Sequence, residues 1–238
     1  MQTGILELRV NPAARVDLRR IGRELNPLIV IDDILVDDDA EALAAFAVSA
    51  GWAPPESTYY PGLNAPLPPS YLRTLAPVLR STFERGFGMS AQARLNVYGF
   101  FALATWGLER FGPLQRIPHY DQPRTDSLAM VHYLCKDQGG GTGFFRHKAS
   151  GYEAIDAVRR EGYMVTVAGE IERDGQLLTG FAGPDTPNYE MIDHVEMRFN
   201  RTVLYQSHLL HCALFDGVRL SDDPRAGRLT ANSFYAFG

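Results

Sequence analysis

The chain has 238 residues, 45% of them hydrophobic and 21% charged, with a formal net charge of -5. That length buries a sizeable core, and the composition excludes global disorder. An acidic balance without a basic run is poorly suited to phosphate backbones or anionic membranes and argues against nucleic acid as a substrate. Two cysteines, Cys135 and Cys212, with no CxxC, fit a reduced, cytoplasmic protein and not a disulfide scaffold. Residues 1–20 interleave Glu7, Arg9, Arg15 and Arg19 with apolar residues, so no signal-peptide core is expected there. No stretch approaches the ~20 apolar residues of a membrane-spanning helix.

Leu28-Ile29-Val30-Ile31, closed by Asp32-Asp33, reads as a buried strand. Asp37-Asp38-Asp39 opens a helix over Ala40 to Ala50, where acids suit the positive end of the dipole. The Pro-rich stretch from Tyr59 to Pro69 is expected to be a loop, with Tyr59 and Tyr60 as aromatic anchors in preference to a part of a substrate lid. A helix follows to about Arg85, with Leu72, Leu75, Val78, Leu79 and Phe83 on one stripe. From Leu95 the pattern changes to short extended segments separated by turns: Leu95 to Trp106, Leu114 to Tyr120, Leu128 to Cys135 and Thr142 to Arg146. Such spacing predicts a sandwich or barrel. Gly151 to Gly162 reads as helical, and Tyr163 to Tyr189, with its glycines and prolines, as ambiguous. Arg201 to Ser207 and Arg228 to Phe237 are the closing strands. Without repeats or a linker, one domain with an N-terminal helical layer is the simplest organisation.

The chemistry-bearing residues are Pro118-His119-Tyr120-Asp121, Ser207-His208-Leu209-Leu210-His211-Cys212, and Gly227-Arg228-Leu229-Thr230. In an extended segment residues two apart share a face, so His119 and Asp121 can hold one ion while Tyr120 turns away. A second histidine from another strand completes a two-His-one-carboxylate facial triad, which suits non-heme iron and leaves positions open.

In these residues, together with the strand ending Tyr133-Leu134 and the Gly139-Gly140-Gly141-Thr142 turn, the segment Leu95 to Phe237 resembles the double-stranded β-helix dioxygenases that use Fe(II) and 2-oxoglutarate. The prolyl-hydroxylase-like and phytanoyl-hydroxylase-like branches are the nearest. The whole chain is also similar to an uncharacterised bacterial family with Tyr60-Pro61-Gly62, Pro118 to Asp121, Gly140 to His147 and Asn200-Arg201 as its marks. The resemblance implies a mainly β fold with flanking α elements. This would be a jelly roll over residues 94–238, preceded by a strand and helical layer over residues 1–93. It implies iron on His119, Asp121 and His211. His211 is preferred to His208 because Leu209-Leu210-His211-Cys212-Ala213 has the family's apolar-pair-then-small pattern. Arg228 would bind the distal carboxylate of 2-oxoglutarate bidentately, with Thr230 and Tyr133 as further donors and Arg219 as the rival cation. Arg146-His147 is open between facing substrate and structural pairing, and neither His132 nor His194 acquires a role.

The activity implied is hydroxylation of a small molecule, with neither nucleic acid nor membrane as partner and a homodimer allowed. The keeping of Asp121 argues against halogenation, in which chloride takes the carboxylate's place. Two rival readings are a non-catalytic jelly-roll protein that binds a metal or ligand and a cupin-type metal-dependent isomerase or hydrolase. Neither of them needs a carboxylate clamp at Arg228.

Overall fold

A computed structural model describes residues 6–55, 60–136 and 139–238; Tyr59 lies outside these. The strands are β1 (Arg15–Ile21), β2 (Asn26–Asp32), β3 (Gly62–Pro66), β4 (Leu95–Ala104), β5 (Ser127–Tyr133), β6 (Gly141–His147), β7 (Tyr189–Glu196), β8 (Thr202–Gln206), β9 (His211–Leu214) and β10 (Arg228–Phe237). The helices are α1 (Asp37–Val48), α2 (Pro69–Phe87) and α3 (Arg160–Asp174). A seven-stranded sheet runs β1-β2-β8-β5-β10-β4-β3 and a three-stranded sheet runs β7-β6-β9, with every pairing antiparallel. The result is a mainly β, jelly-roll arrangement of two sheets, as the sequence implied.

Alternation along each strand divides the large sheet into two faces. One face carries Phe101, Leu103, Met130, Leu204, Leu229, Ala231 and Tyr235, and packs under α1 and α2 through Leu43, Leu75, Leu79 and Phe83. These helices are amphipathic for that reason, although Val78 of the expected α2 stripe points to solvent. The opposite face carries Val30, Ala129, Tyr133, Val203 and Tyr205 toward Phe144 of β6 in the small sheet. The outer face of the small sheet, with Phe145, Tyr189, Cys212 and Leu214, is covered by Tyr163 and Val167 of α3.

Several elements differ from the sequence reading for identifiable reasons. Residues 62–66 form an edge strand against β4; Pro66 is tolerated there because an edge position does not need its missing N–H. Residues 114–120 do not form a strand. Pro113 opens a 3-10 turn to Arg116, and only a single bridge, His119 to His211, follows. The helix expected over 151–162 instead begins at Arg160. Asp156 Oδ1 accepts from the N–H groups of Val158 and Arg159 and so sets the start, while Ala154 is held extended against Leu209. Strand β1 went unread because Arg15, Asp17, Arg19 and Arg20 mask its alternation, and β7 because it follows an irregular stretch.

Candidate metal and co-substrate site

Between the sheets lies a cavity of about 570 Å³. His119, Asp121 and His211 meet on its wall, with one ligating atom from each within 4.8 Å of the others. Backbone pairing builds this convergence. His119 N–H donates to His211 O at 2.9 Å and His211 N–H donates back to His119 O at 2.8 Å. Asp121 N–H donates to Ser207 O at 2.8 Å, so the segment after Pro118 is stitched to the chain between β8 and β9. Tyr120 turns away, its ring 6.2 Å from that of Tyr163.

The side chains are poised as ligands. His211 Nδ1 donates to Leu209 O at 2.8 Å, which fixes the tautomer and leaves the Nε2 lone pair facing the cluster. That Nε2 is 3.7 Å from Asp121 Oδ2, and His119 Nε2 is 3.9 Å from Asp121 Oδ1, both too long for hydrogen bonds. Asp121 Oδ2 is buried and accepts from no donor. Burial lowers the His211 imidazole to about 4 and desolvation pushes the Asp121 carboxyl up to about 6, while His119, half exposed at the cavity wall, is shifted down by desolvation and then by His211 beside it. Two neutral imidazoles beside a carboxylate without a donor fit a divalent cation, whose charge would restore what desolvation removes. His208, in contrast, sits in the turn after β8, with its Nδ1 donating to Arg124 O at 3.1 Å. It does not join the cluster.

Arg228, first residue of β10, lines the same cavity. It is 3% exposed, and no carboxylate among the described residues pairs with it. Its Nη2 donates to Gly141 O at 3.1 Å, while Nε has no acceptor. A buried guanidinium without a counter-ion is costly, and an anion entering the cavity would relieve it. Arg219, the rival, is exposed and does not line the cavity. Tyr133 and Thr230 sit behind the lining. The Tyr133 hydroxyl bonds Thr142 Oγ1 at 2.6 Å with its ring 5.7 Å from the guanidinium, and Thr230 Oγ1 donates to Ala102 O at 3.5 Å. Tyr60 and Thr142 are among the polar groups that do share the cavity wall with Arg228. Burial pushes the Tyr60 phenol up to about 12, and the neighbouring Arg228 pulls it back. The sequence signal for both lay in the Tyr-Pro-Gly and Gly-Gly-Thr marks, which gave no indication of what they would face.

Other marks turn out to hold the fold. Arg146 pairs with Glu153 at 2.9 Å and Glu190 at 2.5 Å. His147 bridges Ser150 and Glu170 of α3 at 2.8 and 2.9 Å. Asn200, at φ 62°, bonds Leu35 through both its amide atoms, and Arg201 pairs with Asp32 at 2.5 Å.

Residues 12–235 match a family model described as "Family of unknown function (DUF6445)". The chain belongs to that family. No curated protein matches it. Among solved structures, it is similar to the non-heme alpha ketoglutarate dependent carbocyclase SnoK from nogalamycin biosynthesis. Identity is 15%, the TM-score is 0.50, and the match covers 88% of this chain and 79% of that one. It is likewise similar to HygX from Streptomyces hygroscopicus, solved with nickel, 2-oxoglutarate and hygromycin B bound. There the identity is 13%, the TM-score 0.50 and the coverage 90% and 83%. At such identities the likeness is one of fold, and it places this family member among jelly-roll proteins. No helix among the described residues is long and apolar enough to cross a membrane.

Proposed function

We propose that the protein is an Fe(II)/2-oxoglutarate-dependent oxygenase that oxidises a small molecule, with hydroxylation as its reaction type. One observation carries the reading: a two-His-one-carboxylate cluster shares a single cavity with a buried arginine that has no carboxylate partner. The matched fold includes an enzyme solved with 2-oxoglutarate and a metal bound. His119, Asp121 and His211 would hold iron, and Arg228, with Tyr60 and Thr142 beside it, would take the distal carboxylate of 2-oxoglutarate. Iron with 2-oxoglutarate, when bound, would let dioxygen act as the oxidant, so that substrate, 2-oxoglutarate and dioxygen give hydroxylated product, succinate and carbon dioxide, one oxygen atom going to the product and the other to succinate. The chain's own contribution is positional. His211 keeps its Nε2 lone pair inward because its Nδ1 proton is committed to Leu209 O. Asp121 occupies the third ligand position, which would exclude a halide. Phe100, Val131, Tyr205 and Phe234 give the cavity an apolar stretch of wall, which would limit water beside the reacting atoms.

Iron stoichiometry and succinate release test this directly. Wild-type protein is expected to bind one Fe(II) per chain and to release succinate from 2-oxoglutarate. His119→Ala and Asp121→Ala should lose the iron while keeping the folded circular-dichroism spectrum. If the double variant still binds iron stoichiometrically, the metal site lies elsewhere.

A further inference from the structure

The oxygenase reading accounts for the charged lining of the cavity and leaves its wide mouth without a role. Among the described lining residues, only Asp121 and Arg228 carry formal charge at neutral pH, and each is engaged by the metal or the co-substrate. The remaining wall carries no formal charge: it is mostly aromatic and aliphatic, with Gln115, Gln122, Thr142 and Asn232 as its neutral polar groups beside the two histidines. Tyr98 and Phe234 stack with ring centroids 4.9 Å apart and planes 16° from parallel, and Phe100 follows at 6.0 Å from Phe234. These rings lie on neighbouring strands in register, Tyr98 opposite Phe234 and Phe100 opposite Asn232, so they form one continuous wall. Across the opening, Leu114 and Met164 come from the 3-10 turn and α3. Tyr98 is 51% exposed, Leu114 43% and Met164 37%, so large apolar side chains face water around one opening. Apolar surface gathered at a cavity mouth marks a binding surface. The wall also stands beside the metal cluster: Tyr98 feels the charge of Asp121, and the Tyr205 ring lies 4.5 Å from His211.

We infer that the substrate is an uncharged molecule with a flat ring system, which stacks on the Tyr98–Phe234 wall while its reacting carbon faces the His119–Asp121–His211 cluster. This inference deepens the oxygenase reading and rests on it for which end of the cavity reacts. An amino-acid zwitterion or a polycationic sugar would bring charges into a lining that has no counter-charge left for them, only neutral groups such as Asn232 and Gln122, at a desolvation cost. A neutral ring loses little on leaving water and gains stacking contact with the exposed aromatics.

The test uses three probes of the same ring: 2-naphthol (neutral), 2-naphthoate (anionic) and 2-naphthylmethylamine (cationic). Calorimetry is run anaerobically on protein loaded with Fe(II) and saturating 2-oxoglutarate, so that Arg228 is already occupied. 2-Naphthol should bind, with each charged probe at least about tenfold weaker. Tyr98→Ala and Phe234→Ala should each weaken 2-naphthol about tenfold with iron stoichiometry unchanged, while Tyr98→Phe, which keeps the ring, retains affinity. Charged probes binding as tightly as 2-naphthol, Tyr98→Ala and Phe234→Ala without effect, or no binding by any probe would each overturn the inference. A protein that takes up no iron yet binds 2-naphthol in a Tyr98-dependent way would retain the ring site and sink the oxygenase reading instead.

Discussion

Arg228 shows what one residue can decide. Its guanidinium is buried with an unpartnered Nε, and Gly141 O takes one of its donors. Arg228→Ala should weaken 2-oxoglutarate binding by roughly 1.5–3 kcal/mol, about ten- to a hundredfold, with iron uptake retained. Arg219→Ala should leave it unchanged; calorimetry on both variants checks the assignment, and a reversed ranking would move the clamp. His132 offers a second residue-level prediction, this one about stability. It is fully buried, with the Tyr71 hydroxyl donating to Nδ1 at 3.0 Å and Nε2 donating to Asn200 Oδ1 at 3.3 Å, a network that needs the neutral ring. Burial lowers it from 6.5 to about 4. Between those values the unfolded chain takes up a proton that the folded state refuses. Stability is therefore flat above pH 6.5 and falls as pH drops toward 4, by about 3 kcal/mol from this group. Urea unfolding at pH 7.5 and pH 5 should show a gap about one proton steeper in wild type than in His132→Gln. The His119, Asp121 and His211 cluster was legible in the sequence because residue type and local spacing carry the signal, as in His119-x-Asp121. Tyr60 and Thr142 were not, because long-range pairing, not local spacing, brings them to Arg228.

At the level of elements, the strands that read well were those with apolar, β-branched or aromatic runs bounded by turn residues, β2, β4, β5, β6, β8 and β10. Those that failed depended on partners far along the chain. Segment 62–66 becomes a strand only because β4 offers a free edge, and His119 is extended only where His211 pairs with it. Glycine punctuation was more informative than it first seemed. Gly141 opens β6 at φ 152°, and a Cβ there would stand 2.0 Å from Val195 O, a backbone atom fixed by the β6–β7 ladder. Its carbonyl is also the acceptor for Arg228. Gly141→Ala should cost about 1–3 kcal/mol from the strained backbone alone. It should also shift Arg228 and weaken 2-oxoglutarate binding, whereas Gly151→Ala, with φ 73° but open space around its Cβ, costs stability without touching co-substrate affinity. Equal 2-oxoglutarate affinity in the two variants would mean that the β6 edge does not support the clamp.

Across the whole molecule, the two sheets divide the work. The helix-covered face of the large sheet supplies a continuous apolar core, while its other face and the small sheet leave a cavity furnished with groups that lack partners. Asp121 Oδ2, Arg228 Nε and Asn232 Oδ1 are all buried, all without a hydrogen bond, and all belong to residues lining that one cavity. Leaving such atoms unpaired costs stability, so ligands that satisfy them should raise it in separable steps. A ligand at about a hundred times its dissociation constant adds about 2.7 kcal/mol, which for a chain of this size raises the melting temperature by roughly 5–10 °C. Mn(II), which avoids oxidation during the scan, should give the first increment and 2-oxoglutarate a second that appears only when the metal is present. His119→Ala should lose both increments. Arg228→Ala should keep the first and lose most of the second. If 2-oxoglutarate stabilised the protein equally with and without Mn(II), the two groups would not share a co-substrate, and the cavity would hold two independent sites.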